Sequence, residues 1–332
     1  MMMQQDEKIR DLIIEIFLEH EGPGNIFAEY HIHKILYQYK KNVKGEFPQL
    51  SKDLPFYWYK HGAYSQPVRK WLTILSEDKI LTRSDSFGAY GNEGSLFTIN
   101  KSRLSVPFHP NLKQKAIDEL YGIVRSFRSL KEKLCREESH DNPGKLFNKI
   151  LYEKYAPFPF QTLYNMTYLE LINNISFSNK RSFKRQIAEI KSSLCECEAV
   201  LPVEEPLFNE YNELFISYVT STNRLLRYYE RDGDNYSHIT SILIPMSNTV
   251  WDTFADGVRI LDKGHEYESY YSDDIPAWKI KYERDLAKLG VDIDKYKTNV
   301  LDVVGEKGLT RVDDQSSREF LSTVIGGYFS KD

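Results

Sequence analysis

The sequence predicts a mainly α-helical protein in two parts, a small N-terminal domain that mixes helices with short strands and a longer helical domain. Three observations carry this. Apolar residues recur at helical spacing through most of the chain, the clearest β-type runs fall between Phe56 and Asn100, and Pro107 and Pro110 interrupt the chain just before a long helix with a coiled-coil-like apolar repeat. The boundary is therefore placed between residues 106 and 107, giving domains 1–106 and 107–332. At 332 residues the chain exceeds the usual size of one domain, which agrees with two.

The first helix is expected from about Asp6 to His20, because Ile9, Leu12, Ile13, Ile16 and Phe17 make one apolar stripe, and Gly22-Pro23-Gly24 ends it. A second runs from about Ala28 to Val43 with Ile32, Ile35 and Leu36 inward and lysines crowding its last turn, where they complement the helix dipole. After a loop at Pro48, Phe56 to Tyr59 read as an aromatic strand and Gly62 as the turn that follows it. The third helix starts at Ser65 or Gln66, with Ser65 as N-cap, Pro67 in the first turn and Val68, Trp71, Leu72 and Leu75 on one face. Its other face offers Gln66, Arg69, Lys70 and Thr73. The runs Ile80 to Arg83 and Ser95 to Asn100, joined by a polar segment with Gly88, Gly91 and Gly94, then read as a β-hairpin. Helix, helix, strand, helix and hairpin is the order of a winged helix-turn-helix with a small β-hairpin wing.

Beyond the prolines a helix from about Asn111 to Glu138 carries Ile117, Leu120, Val124, Phe127, Leu130 and Leu134 in one seam. Such a seam suits either a homodimer built on a short coiled coil or packing within the chain, and the second is favoured. Helices are further expected at 145–155, 163–175, 182–200, 205–231, 236–261 with an interruption at Pro245, 276–289 and 316–328, and a short apolar run at 301–304. Together they read as a helical bundle.

Composition narrows the function classes. With 41% hydrophobic and 28% charged residues the chain is neither disordered nor membrane-like, and no apolar run approaches the roughly 20 residues that cross a bilayer. The N-terminus lacks a basic signal region, and three cysteines (Cys135, Cys195 and Cys197) make no disulfide framework, so a cytoplasmic protein is expected. No cofactor or metal is expected. Val304-Gly305-Glu306-Lys307-Gly308 lacks phosphate-loop spacing, and Glu137-x-x-His140 and Asp262-x-x-His265 lie at helix ends as solvated caps. Cys195 and Cys197 sit two apart on a helix with no second ligand pair, and Asp232, Asp234 and Asn235 are explained by turn chemistry. His31 and His33, also two apart, are read as a core edge and a surface residue. No catalytic constellation emerges, and an enzyme is the least favoured class.

The charge is uneven. Residues 200 to 332 hold 15 Lys and Arg against 24 Asp and Glu, whereas residues 31 to 70 hold eight Lys and Arg against two acids. Such a local excess is either a footprint for phosphates or a solvated lysine face. The aromatics Phe56, Tyr57, Trp58, Tyr59 and Tyr64 lie inside it; strand alternation places Phe56 and Trp58 in the core with Tyr57 and Tyr59 outside, or the reverse.

Lys34-Ile35-Leu36-Tyr37 at the second helix, and Tyr57-Trp58-Tyr59-Lys60-His61-Gly62-Ala63-Tyr64-Ser65 after it, resemble the pattern of winged-helix regulators of archaea and bacteria and of the Panacea-type antitoxin domain, with Ala63 where that pattern has Pro. The likeness covers about 70 of the 332 residues. It implies a non-enzymatic regulator that binds duplex DNA, or alternatively a protein-interaction module of antitoxin type or a subunit of a larger complex. The residues expected to contact DNA or a protein partner are Lys60, His61, Tyr64, Gln66, Arg69, Lys70, Thr73 and Arg83.

Overall fold

A computed structural model describes residues 2–19, 26–59, 62–84, 95–104, 112–136, 180–232, 236–261, 271 and 273–305. They are mainly helical. The chain divides into two compact units, Met1–Tyr164 with Asp252–Arg284, and Asn165–Trp251 with Asp285–Asp332.

In the first unit, α1 (Met2–Leu18) buries the stripe its sequence predicts, with Ile9, Leu12, Ile13, Ile16 and Phe17 almost wholly covered. β1 (Phe27–Ala28) leads into α2 (Glu29–Val43). This helix is buried nearly all round: besides Ile32, Ile35 and Leu36 it covers His31, His33, Lys34 and Lys40. The expectation that one of the two histidines faces solvent is thus corrected, because neighbours close on more than one side of α2. His31 Nδ1 accepts the Ala28 N–H at 3.3 Å, and Lys40 Nζ donates to the Leu54 carbonyl at 2.9 Å, so these two find backbone partners.

The segment after α2 holds more structure than its sequence suggests. Where a loop is expected, Pro48–Lys52 form the short helix α3, with Pro at its start. β2 (Tyr57–Tyr59) does not join the later hairpin. It pairs antiparallel with β3 (Gly62–Tyr64), Trp58 opposite Ala63 and Tyr57 opposite Tyr64. Gly62 is therefore the first residue of a strand, at φ 104°, a conformation that L side chains rarely adopt. α4 (Gln66–Glu77) follows from the N-cap position Ser65 and buries Val68, Leu72 and Leu75. β4 (Leu81–Ser84) and β5 (Leu96–Ile99) form the expected hairpin, and β1 adds to its far side, giving a three-stranded sheet in the order β1-β5-β4. β1 is two residues long, too short for any periodicity; its pairing of Phe27 with Phe97 defines it.

α5 (Gln114–Arg136) packs on α1 and α2. Ile117, Leu120, Val124 and Phe127 are buried there, so this stretch of the seam is used within the chain. Ion pairs and hydrogen bonds fix the register: Arg128 to Glu19 at 2.6 Å, Asn42 to Glu119 at 2.7 Å, and the Tyr121 hydroxyl to Glu15.

The second unit contains α6 (Lys180–Ala199) and α7 (Asn209–Asp232), which pack together, and parts of α8 (Tyr236–Leu261) and α9 (Ile275–Val304), which also supply the first unit. α8 is continuous through Pro245, against the expected interruption. α9 runs on past residue 289 and absorbs the apolar run at 301–304. The helices expected at 145–155, 163–175 and 316–328 lie outside the described residues. Within the second unit, buried hydroxyls pair with one another: Tyr218 with Ser247 at 2.7 Å and Thr222 with Tyr296 at 2.8 Å.

Candidate functional site

The first turn of α2 and the first turn of α4 meet in one polar cluster of the first unit. Glu29 opens α2, and His33 lies one turn later on the same face. His33 Nδ1 accepts the Ser65 N–H at 3.2 Å, which leaves Nε2 to carry the ring proton and face the Glu29 carboxylate at 3.8 Å. That separation is too long for a hydrogen bond. Tyr64 stacks on the His33 ring at 4.6 Å and 19°, and Phe56 meets its edge. Arg69 closes the cluster, with Nη1 donating to the Tyr64 hydroxyl at 3.3 Å and Nε 3.7 Å from Glu29.

The electrostatics follow from this packing. His33 is pushed below its ordinary value by burial, which the Glu29 carboxylate opposes only in part. Glu29 is held below the usual carboxyl range, first by His33 and then, against the cost of burial, by the charges of Arg69 and Arg83. The imidazole is thus neutral and the carboxylate ionised at neutral pH. One anion sits among the cations of the expected contact face.

Of the expected contact residues, Tyr64 and Arg69 belong to this cluster. Gln66, Lys70 and Thr73 are exposed along the same side of α4, and Arg83 is exposed on β4. Thr73 spends its hydroxyl on the Arg69 carbonyl at 3.2 Å, and the Gln66 N–H donates to the Tyr271 hydroxyl at 3.4 Å. Lys60 and His61 lie outside the described residues.

Three further groups take part in ways the sequence reading does not specify. Glu29 is one; the Glu-x-x-x-His spacing to His33 is the signal that marks it. Tyr57 is another: with Phe56 and Trp58 it is buried, so strand alternation does not sort these three residues. Its ring packs against Tyr271 and Trp278, both at 4.9 Å, and the Arg259 guanidinium lies 5.8 Å from it. Arg259 is paired in turn with the buried Asp256 at 2.9 Å, which also meets Lys281. No local pattern announces this third set, Asp256, Arg259, Tyr271 and Trp278, because it lies some 200 residues further along the chain.

Among the described residues, no cluster of three or more His, Cys, Asp or Glu side chains is placed to hold a metal ion, and no helix is long and apolar enough to cross a membrane. No family model, curated protein or solved structure matches the chain.

Proposed function

We propose that α1, β1, α2, α4, β4 and β5 constitute a winged helix and that the protein is a regulator binding duplex DNA, with α4 as the helix that enters the major groove. The observation that carries this is the outward side of α4, where Gln66, Arg69, Lys70 and Thr73 are exposed next to Arg83 of β4, while Val68, Leu72 and Leu75 hold the helix to the core. A recognition helix needs that division: an apolar face fixed on the domain and polar side chains able to reach base edges and phosphates. The sheet order β1-β5-β4 supports the reading, because a hairpin that follows the third of these helices and takes a short strand onto its second strand is what a winged helix has.

The test is duplex binding by the full chain as a function of salt. Lys70→Ala with Arg83→Ala is expected to weaken binding at least about tenfold and to make the salt dependence shallower by about two phosphate contacts. A second reading, an interaction module that holds a protein partner, draws support from the balance of 14 Lys and Arg against 13 Asp and Glu over residues 1 to 110. Co-purification of a stoichiometric protein, with no duplex bound even at low salt, would establish it in place of the first.

A further inference from the structure

Arg69 combines exposure with fixation. Its side chain is 66% accessible, yet Nε faces the Glu29 carboxylate at 3.7 Å and Nη1 donates to the Tyr64 hydroxyl at 3.3 Å. Neither support is loose. Glu29 sits in the first turn of α2 and is only 26% exposed. Tyr64 is stacked on His33, and the His33 ring accepts the N–H of Ser65, the N-cap position of α4. The guanidinium is therefore flanked by groups from α2 and β3, one through a hydrogen bond and one through charge.

A contact to phosphate requires charge more than orientation, and a carboxylate beside the cation works against it by cancelling part of that charge. The same carboxylate helps a contact that depends on direction. With Nη1 bonded to Tyr64 and Nε facing Glu29, the rest of this 66% accessible side chain is open to a ligand at the N-terminal part of α4, which is where a recognition helix meets base edges. Two roughly parallel donors match the O6 and N7 acceptors of guanine; adenine sets an amino donor beside its N7 and opposes one of them.

We infer that Arg69 reads a guanine in the major groove, with Glu29 and Tyr64 as its positioning residues. The inference rests on the duplex-binding reading and adds a specificity that reading does not contain. Prepaid orientation is what the cluster supplies, since an arginine held in place loses less side-chain freedom on forming the bidentate pair.

The experiment selects preferred duplexes from a random pool with the full chain and then measures affinities for the selected site and for the same site with one base pair exchanged. An invariant guanine is expected, whose replacement weakens wild-type binding by roughly 10- to 100-fold. Arg69→Lys keeps the charge and loses the fork, so it should bind both duplexes about equally with an unchanged salt slope. Glu29→Gln should retain binding while the preference for guanine falls several-fold, again with no change in slope; a merely structural role for Glu29 would weaken both duplexes alike. Duplex binding with no guanine preference, or an Arg69→Lys variant weakened equally on every sequence, would overturn the inference and leave the DNA reading standing. No binding to any duplex would overturn both.

Discussion

In the first unit the buried polar side chains include Asp11, Glu15, Lys34, Lys40 and Asp256, whereas in the second they are Ser193, Asn212, Ser221, Thr222 and Ser247. Every buried Asp, Glu, Lys and Arg among the described residues lies in the first unit. Hydroxyls are cheap to bury once paired, and the second unit pairs Tyr218 with Ser247 and Thr222 with Tyr296. Charges carry a desolvation penalty that their partners rarely repay in full. A domain that nevertheless buries them has side chains fixed in place at some cost in stability, and the first unit is the one that carries the exposed face of α4. The contrast separates a part shaped for placing charged groups from a part shaped for holding together.

The largest effect expected from this contrast concerns Lys34. Its Nζ lies 4.5 Å from the Tyr30 ring centre, with no carboxylate partner among the described residues, and burial pushes its ammonium down to about 7. Between about pH 7 and the ordinary lysine value near 10.5 the unfolded chain binds this proton and the folded chain does not, so stability rises with pH across that window. Lys34→Met should stabilise the first unit at pH 7 by about 2 to 3 kcal/mol, less than the full shift implies because the contact with the ring is lost, and should remove the alkaline rise. The second unit should behave oppositely. The Cys197 thiol, pushed up to about 12 by burial and then by Glu196, keeps its proton in the folded chain after the unfolded chain has lost it, so stability falls as pH passes 9. Urea unfolding followed by tryptophan fluorescence separates the two. With Trp251 replaced by Phe, the remaining Trp58, Trp71 and Trp278 report on the first unit alone. A first unit whose stability is flat from pH 7 to 10 would break the comparison.

A smaller effect is expected from the hydroxyl pairs of the second unit. Tyr296→Phe removes one partner of Thr222 and keeps the ring that packs on Tyr218. The cost should be about 1 kcal/mol, the net worth of one buried hydrogen bond. It should be the same at about pH 5 and pH 8, since no group in the pair titrates there. A pH-dependent cost would mean that a charge reaches this network after all.

The difference between the units also explains what could be read from the sequence. Elements longer than two turns were legible: α1, α2, α4 and α5 carry apolar residues at helical spacing, and the hairpin of β4 and β5 is marked by two short runs joined by a polar, glycine-bearing segment. The short elements were not, because β1 and β3 are defined by what they pair with, and α3, with 5 residues, is too short to show a helical period. At the candidate site, the exposed side of α4 follows directly from its buried side, so Gln66, Arg69, Lys70 and Thr73 were legible as one face. Glu29 and His33 are not legible as part of it, since the apolar stripe of α2 leaves both outside, and only packing against α4 and β3 turns them inward. Tyr271 and Trp278 were illegible in principle: nothing local to either predicts contact with Tyr57.

The smallest effect tests how each unit ends a helix. α9 stops at Val304 with Gly305 in the left-handed region at φ 68°, its N–H bonded to the Leu301 carbonyl at 2.9 Å. α4 stops in a comparable way without a glycine: Lys79 takes φ 58°, its N–H bonds to the Ser76 carbonyl at 3.1 Å, and the Ile80 N–H reaches back to the Leu75 carbonyl at 2.9 Å. These two bonds make a Schellman motif, in which the left-handed position suits glycine because a β-carbon there crowds the following carbonyl. Lys79→Gly relieves roughly 1 to 2 kcal/mol of that strain and gives back part of it as added freedom in the unfolded chain, for a net stabilisation of about 0.5 to 1 kcal/mol in the first unit. Gly305→Ala should move the second unit the other way by a similar amount. If Lys79→Gly lowers the unfolding midpoint instead, the lysine side chain contributes more than its backbone costs. The strain would then belong with the other charges that the first unit fixes in place, between α4 and the start of β4.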